Sequence, residues 1–339
     1  MARRIRVWKP NVVYSATIRC NDRQFLLKPD HNPKNPLITF DSHRNSLDIR
    51  NNNIPRPSVI NIVGAAIARA QQLHPIQVHW VEANINHLTV GFSATEELLE
   101  NISDFFRTAD SIIATKLNAK WQHEGHIWSS PFRPTACTDD QAAEQQLLYC
   151  LTNPVKDGLV ATVRESPFFT SYRALAYGKP LRFWRIDWNA FHLAGGYRKK
   201  SHSPKDFLKW INLELAPLPH QADWPDHKRQ SWIRSAVADF ERETADDFRS
   251  TGRKPMGVSA QYNADPRERP VIPKRSGRQP LCHASSREIH MEFRKEWRET
   301  LRAHREASIE YRLGNFYREF PEGTFRPPLT KPYGTQLRL

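Results

Sequence analysis

Four side chains carry the most pointed chemistry in this sequence. Tyr149 and Asn153 stand four residues apart, which on a helix places them one turn apart on the same face. His87 and Thr89 stand two apart in an apolar, alternating run, which on a strand places them on the same side. A phenol with a pKa near 10 is a reluctant nucleophile and needs a partner that polarises its target. An imidazole and an amide oxygen are donors able to hold a divalent ion, whereas a threonine hydroxyl holds Mg²⁺ only weakly or through water. Each residue also has a plainer role. Tyr149 is flanked by Leu147, Leu148, Cys150 and Leu151 and suits a core position. Asn153 precedes Pro154 and suits a helix end, alone or together with a ligand role. His87 suits an ordinary strand histidine.

The elements that must position these residues are legible in the pattern. Val12 to Cys20 is rich in β-branched residues and reads as a strand. Ser58 caps a helix whose apolar spacing (Val59, Ile62, Val63, Ile67, Ala70) runs until His74-Pro75. Ile76–Glu82 and His87–Phe92 read as a hairpin around residues 83–86. Thr95 to Lys120 reads as a long amphipathic helix with an acidic first turn. A strand over Phe132–Cys137 follows, and Thr138 is expected to cap a helix from Asp139 to about Thr152, ended by Asn153-Pro154. This order predicts an α+β fold: a ferredoxin-like antiparallel sheet with helices on one face, plus an additional helix. Residues 1–178 form that expected domain. Residues 179–339 form a basic, mainly helical accessory region, with a Pro/Arg-rich linker near 253–280 and a charged helix from about Ser286 to Tyr311.

Fifty Lys and Arg against 36 Asp and Glu give a net charge of +14 over 339 residues. That bias favours a polyanionic partner. The four cysteines are scattered without a CxxC pair, which argues against a zinc knuckle or a disulfide framework. The sequence has no run of about eighteen apolar residues and no apolar signal core, so no membrane partner is expected and a cytoplasmic location, in the bacterial cytoplasm or nucleoid, is.

The block from Tyr149 through Asn153-Pro154-Val155-Lys156 to Gly158-Leu159-Val160 resembles the Y-x-x-x-N-P-V-[KR]-x-G-L-V block of single-tyrosine transposases of the HUH superfamily, in the branch associated with bacterial REP elements. The resemblance extends through GHIWSSPFRP and SPFFTSYRALAYG, covering about Val12 to Gly178. It implies that Tyr149 attacks a DNA phosphodiester and is left as a 5′-phosphotyrosine, with Mg²⁺ or Mn²⁺ polarising the phosphate. His87 and Asn153 match the family's metal ligands. Thr89 stands where a second histidine is expected, so the ion is expected to bind weakly unless another residue, such as His79 or Glu82, takes its place.

The resemblance further implies a single-stranded or hairpin DNA partner, contacted by Arg19, Arg23, Lys116, Lys120 and Arg133, by the arm Arg3-Arg4-Arg6, and by Trp128 stacking on unpaired bases. For any single cation among these, a solvated surface charge is the alternative. Trp80, Trp184 and Trp188 read as core or interface residues. The expected function is DNA transposition through cleavage and rejoining of a structured strand by a monomer or homodimer. The alternative is a domesticated DNA-binding protein, derived from a transposase, that cuts poorly or not at all. An RNA-binding module is disfavoured, because the first strand lacks an aromatic motif of the R-G-F-x-F-V type.

Overall fold

The computed structural model describes residues 5–30, 38–39, 56–198, 202–270 and 280–328. It is a mixed α and β structure. Among the described residues the principal sheet has the order β4-β5-β1-β6-β9. Its strands are β1 (Tyr14–Arg19), β4 (Gln77–Asn84), β5 (His87–Ser93), β6 (Arg133–Cys137) and β9 (Cys282–His283). Strand β1 pairs antiparallel with both β5 and β6, β4 pairs antiparallel with β5, and β9 adds in parallel to β6. Two short strands, β2 (Ile38–Thr39) and β3 (Arg56–Pro57), pair with each other. A second hairpin, β7 (Leu181–Ile186) with β8 (Leu208–Leu213), packs on helix α1 (Val59–Leu73).

Alternation along the strands divides the sheet into two unlike faces. Tyr14, Ala16 and Ile18 of β1 and Leu88, Val90 and Phe92 of β5 point to one side, where α1 and α2 (Asn101–Trp121) cover them. Ser58 caps α1 as expected, its side chain accepting from the Asn61 amide at 3.1 Å. Ile67, Ile102, Phe105 and Ile113 are fully buried here, each contributing roughly 1.5–3 kcal/mol of hydrophobic stabilisation. The opposite side carries Ser15, Thr17, Arg19, Glu82, His87 and Thr89, and α3 (Asp140–Lys156) packs there through Leu147, Cys150 and Leu151. Helices therefore cover both faces, contrary to the expectation of one. The reason is that α3 is apolar on one flank only and can bury that flank on the face that α1 and α2 leave uncovered.

Helix α3 departs from expectation at both ends. Its cap is Asp139, not Thr138: the Asp139 carboxylate accepts from the Ala142 amide at 2.8 Å, while the Thr138 hydroxyl donates to the carbonyl of His283, the last residue of β9, at 3.0 Å. The helix also runs through Asn153-Pro154 to Lys156. A proline in the last turn removes one donor there, and the chain closes behind it with Leu159 donating to the Pro154 carbonyl and Gly158 to that of Val155, Gly158 taking φ +71°. This is a Schellman closure, which needs a residue tolerant of the left-handed region. At the start of α2, residues Glu96–Leu98 form a 3₁₀ turn and the α-helix begins only at Asn101.

Helix α4 (Tyr172–Tyr177) stands just before residue 178, and beyond it come α5 (Trp188–Leu193), α6 (Asp226–Thr251), α7 (Val258–Asn263) and α8 (Arg287–Arg312). The described part of the expected linker is tied to the first domain. Gln261 of α7 donates to the Leu159 carbonyl at 2.6 Å, and Phe25 donates to the Glu268 carbonyl at 3.0 Å. Positions 271–279 of that linker lie outside the described residues, as do Arg3 and Arg4 of the basic arm. No helix among the described residues is long and apolar enough to cross a membrane.

Candidate functional site

The sheet register and α3 together bring three of the four singled-out residues to one place. Arg19 is the direct cross-strand partner of His87, and Thr17 that of Thr89. The Asn153 amide nitrogen lies 3.0 Å from His87 Nε2, and His87 Nδ1 lies 3.0 Å from Asn86 Oδ1. The consistent assignment has Nδ1–H donating to Asn86 and the Nε2 lone pair accepting from Asn153. Burial, with the Arg19 guanidinium adding to it, pushes the imidazole pKa down to about 4. His87 is therefore neutral near pH 7 and keeps a lone pair at Nε2.

Tyr149 lies one turn ahead of Asn153 and is 47% exposed, which rules out a core position while its apolar neighbours Leu147, Cys150 and Leu151 face inward. The Lys156 ammonium sits 4.2 Å from its ring centroid. Partial burial, the Asp157 carboxylate and Cys150 raise the phenol pKa, and Arg19 opposes them. The phenol is thus protonated at neutral pH. Its attack on an ester would need outside help.

Thr89 is buried, with its hydroxyl 3.3 Å from that of Thr17. Directly across from it on β4, Glu82 is buried and neither of its carboxyl oxygens has a well-formed hydrogen bond. Burial holds its pKa well above the ordinary carboxylate range, although the nearby Thr170 hydroxyl offsets this in part. His79 does not join the site. It sits at a bulge at the other end of β4, its ring nitrogens bonded to the Ala216 carbonyl at 3.1 Å and the Ser93 hydroxyl at 2.9 Å.

The donors that could hold a metal are thus His87 Nε2, the Asn153 side-chain oxygen after an amide rotation, the Thr89 hydroxyl and, across the strand, Glu82. They are hard and oxygen-rich, which suits Mg²⁺ or Mn²⁺ in kind. Among the described residues no three His, Cys, Asp or Glu side chains converge as a metal site. Of these four, His87 and Asn153 stand closest together, 3.0 Å apart.

The expected DNA-contacting residues are spread over several surfaces. Arg19 is at the site, and Arg133, exposed, pairs in register with Thr17 on the same face. The Arg23 backbone stands beside Asn86, its carbonyl accepting from the Asn86 side chain at 3.3 Å. Trp128 is partly buried and donates its indole N–H to the Asp110 carbonyl at 3.0 Å. Arg6 lies over the Phe132 ring, 3.9 Å from its centroid. Lys116 and Lys120 lie on the far side of the sheet. Both line a cleft of about 630 Å³ with Arg56, Arg69, Arg185 and Trp188. Lys120 is largely buried there and paired with Asp30 at 3.1 Å. Two residues without an expected role also stand at the site: Asn86, whose side-chain oxygen faces His87 Nδ1, and Lys156 over the Tyr149 ring. Lys156 follows Tyr149 by seven residues, two turns, and that spacing was the available signal.

No protein-family model matches the chain, and no curated protein does. Among solved structures, a REP-associated tyrosine transposase bound to a REP hairpin is 17% identical, with a TM-score of 0.34, over 53% of this chain and 90% of that one. A superposition of that quality fixes no residue's role.

Proposed function

We propose that the chain is a single-strand DNA-binding protein of the single-tyrosine transposase kind, with Tyr149 as its strand-transferring nucleophile. One observation carries the reading: an exposed tyrosine stands one helical turn from Asn153, whose amide nitrogen is 3.0 Å from a neutral strand histidine, His87. The strand order β4-β5-β1-β6, with α1 and α2 in the two crossovers, supports a ferredoxin-like sandwich for residues 1–178, with the accessory region extending it. In the transfer, the Tyr149 oxygen forms a bond to phosphorus as the phosphorus–O3′ bond breaks. The phenolic proton passes through water to the departing 3′ oxygen, which leaves as a hydroxyl. A Mg²⁺ or Mn²⁺ ion held by His87 and Asn153 would polarise the phosphate. Arg19, on the same face, neutralises the approaching phosphate, and Arg133 tracks the strand beside it.

A second reading, DNA binding without cleavage, is favoured by one feature: the Thr89 and Thr17 hydroxyls face each other where a second imidazole would complete the site. A single assay separates the two readings. Labelled hairpin DNA with a single-stranded flank is incubated with Mn²⁺ and either wild-type protein or Tyr149→Phe. A covalent adduct with wild type and none with Tyr149→Phe is expected, with hairpin affinity within a few-fold in both. Tight binding without any adduct establishes the second reading, and an adduct that survives in Tyr149→Phe refutes Tyr149 as nucleophile.

A further inference from the structure

We propose that α8 is a docking helix for the phosphate backbone of a nucleic-acid duplex, separate from the Tyr149 site. Arg287, Arg294, Arg298, Arg302, Arg305 and Arg312 recur at spacings of seven, four, four, three and seven residues. At about 100° per residue they fall in one stripe roughly 80° wide. All six are exposed. The six glutamates of the helix occupy the adjoining face instead, and the ion pairs formed by α8 among the described residues, Lys9–Glu296 and Glu310–Arg318, take glutamates rather than the arginines of the stripe. A surface helix usually interleaves opposite charges along its length. Here they are sorted into parallel stripes.

The third face of the helix is turned towards the rest of the protein, with Phe293 packed against the core. Ile289, Phe293 and Trp297 face a cleft whose other wall includes Val7, Val12 and Tyr14. The Ser286 side chain caps the first turn, and His304 near the other end is 3.1 Å from the Phe325 carbonyl. With its apolar face turned inward, α8 has no contiguous apolar strip to lay into a lipid surface; Met291 and Ile309 are isolated among the arginines. A row of like charges along one helix face matches a regular row of phosphates. From Arg287 to Arg312 the helix rises about 37 Å, close to the roughly 34–36 Å of one turn of B-form duplex. The strand β9 before the helix belongs to the sheet end that holds Tyr14, whereas His87 pairs with Arg19 at the other end. The proposal shares with the reading above only its nucleic-acid partner and uses no residue of the Tyr149 site.

The test uses the full chain and a blunt 20-base-pair duplex, which offers Tyr149 no single strand. Affinity is measured from low to high salt for wild type and for a triple variant, Arg294→Glu with Arg298→Glu and Arg305→Glu. A second triple variant carries Gln at the same positions and stands in if the first fails to fold. Losing three phosphate contacts is expected to weaken binding roughly tenfold or more at moderate salt and to flatten the log–log salt slope by about 2.7. Replacing Glu292 and Glu299 on the neighbouring face with Gln is expected to leave the slope unchanged. The proposal is overturned if folded Gln-substituted protein binds the duplex like wild type, or if poly-glutamate of equal charge competes as well as the duplex does, which would indicate an acidic protein partner. Failure of this test leaves the hairpin adduct assay untouched, and an absent adduct leaves duplex binding by α8 untouched.

Discussion

Replacing Asn153 with Asp is expected to turn His87 from a neutral to a charged residue near pH 7. In the wild type the imidazole titrates at about 4, against about 6.5 for an unperturbed histidine, so the folded protein disfavours the charged form by roughly 3.4 kcal/mol at about 1.36 kcal/mol per pH unit. The Asn153 amide nitrogen is 3.0 Å from His87 Nε2, and a carboxylate in its place would sit at a similar distance. At an effective dielectric of about 20, opposite charges about 4 Å apart attract by about 4 kcal/mol. This is equivalent to about three pH units and carries His87 to near 7. The sign is consistent, because a neighbouring anion favours the protonated imidazole. In the wild type, neutral His87 weakens the fold as pH falls from 6.5 towards 4, since the unfolded chain takes up the proton first. In the variant that acid-side loss is expected to vanish. The assay is an NMR titration of the His87 ring in both proteins. A variant whose His87 still titrates below about 5 would refute the reasoning and show that residue 153 does not govern the imidazole.

Gly91→Ala is expected to cost about 1–3 kcal/mol in urea unfolding, because a methyl there would lie 2.1 Å from the ring of Trp80, which is fully buried and has nowhere to move; an unchanged midpoint would contradict the packing. Lys120→Met is expected to destabilise by about 3 kcal/mol, since it leaves the buried Asp30 carboxylate without its 3.1 Å partner while Lys28 remains nearby. Its hairpin affinity is expected to stay within two-fold, and a large loss would return Lys120 to the DNA-contacting set. His79, buried and titrating at about 4, lowers stability as pH falls from 6.5. His79→Gln is therefore expected to reduce the loss measured between pH 7 and pH 4.5 by about 2.4 kcal/mol, and equal losses in both proteins would show that His79 titrates normally.

Local pattern was enough to place most of the elements and much of their order. Helix α1 was legible because Ser58 and His74-Pro75 punctuate an apolar period that only a helix satisfies. The hairpin of β4 and β5 was legible because alternation fixes which side His87 and Thr89 share. The four-residue spacing of Tyr149 and Asn153 placed them on one face before any coordinate was known. Other features depended on contacts distant in sequence. The continuation of α3 through Pro154 rests on a closure by Gly158 and Leu159, and local preference cannot weigh that against a broken helix. The covering of both sheet faces follows from which flank of α3 finds apolar surface to bury, and the pattern of α3 alone does not reveal that surface. The cations show the division most clearly. Arg19 and Lys120 look alike as letters, but strand register carries Arg19 to His87, while the buried carboxylate of Asp30, some ninety residues earlier, draws Lys120 to the far side of the sheet. A side chain's charge is written in the sequence, whereas the neighbours that neutralise or expose it are set by long-range packing.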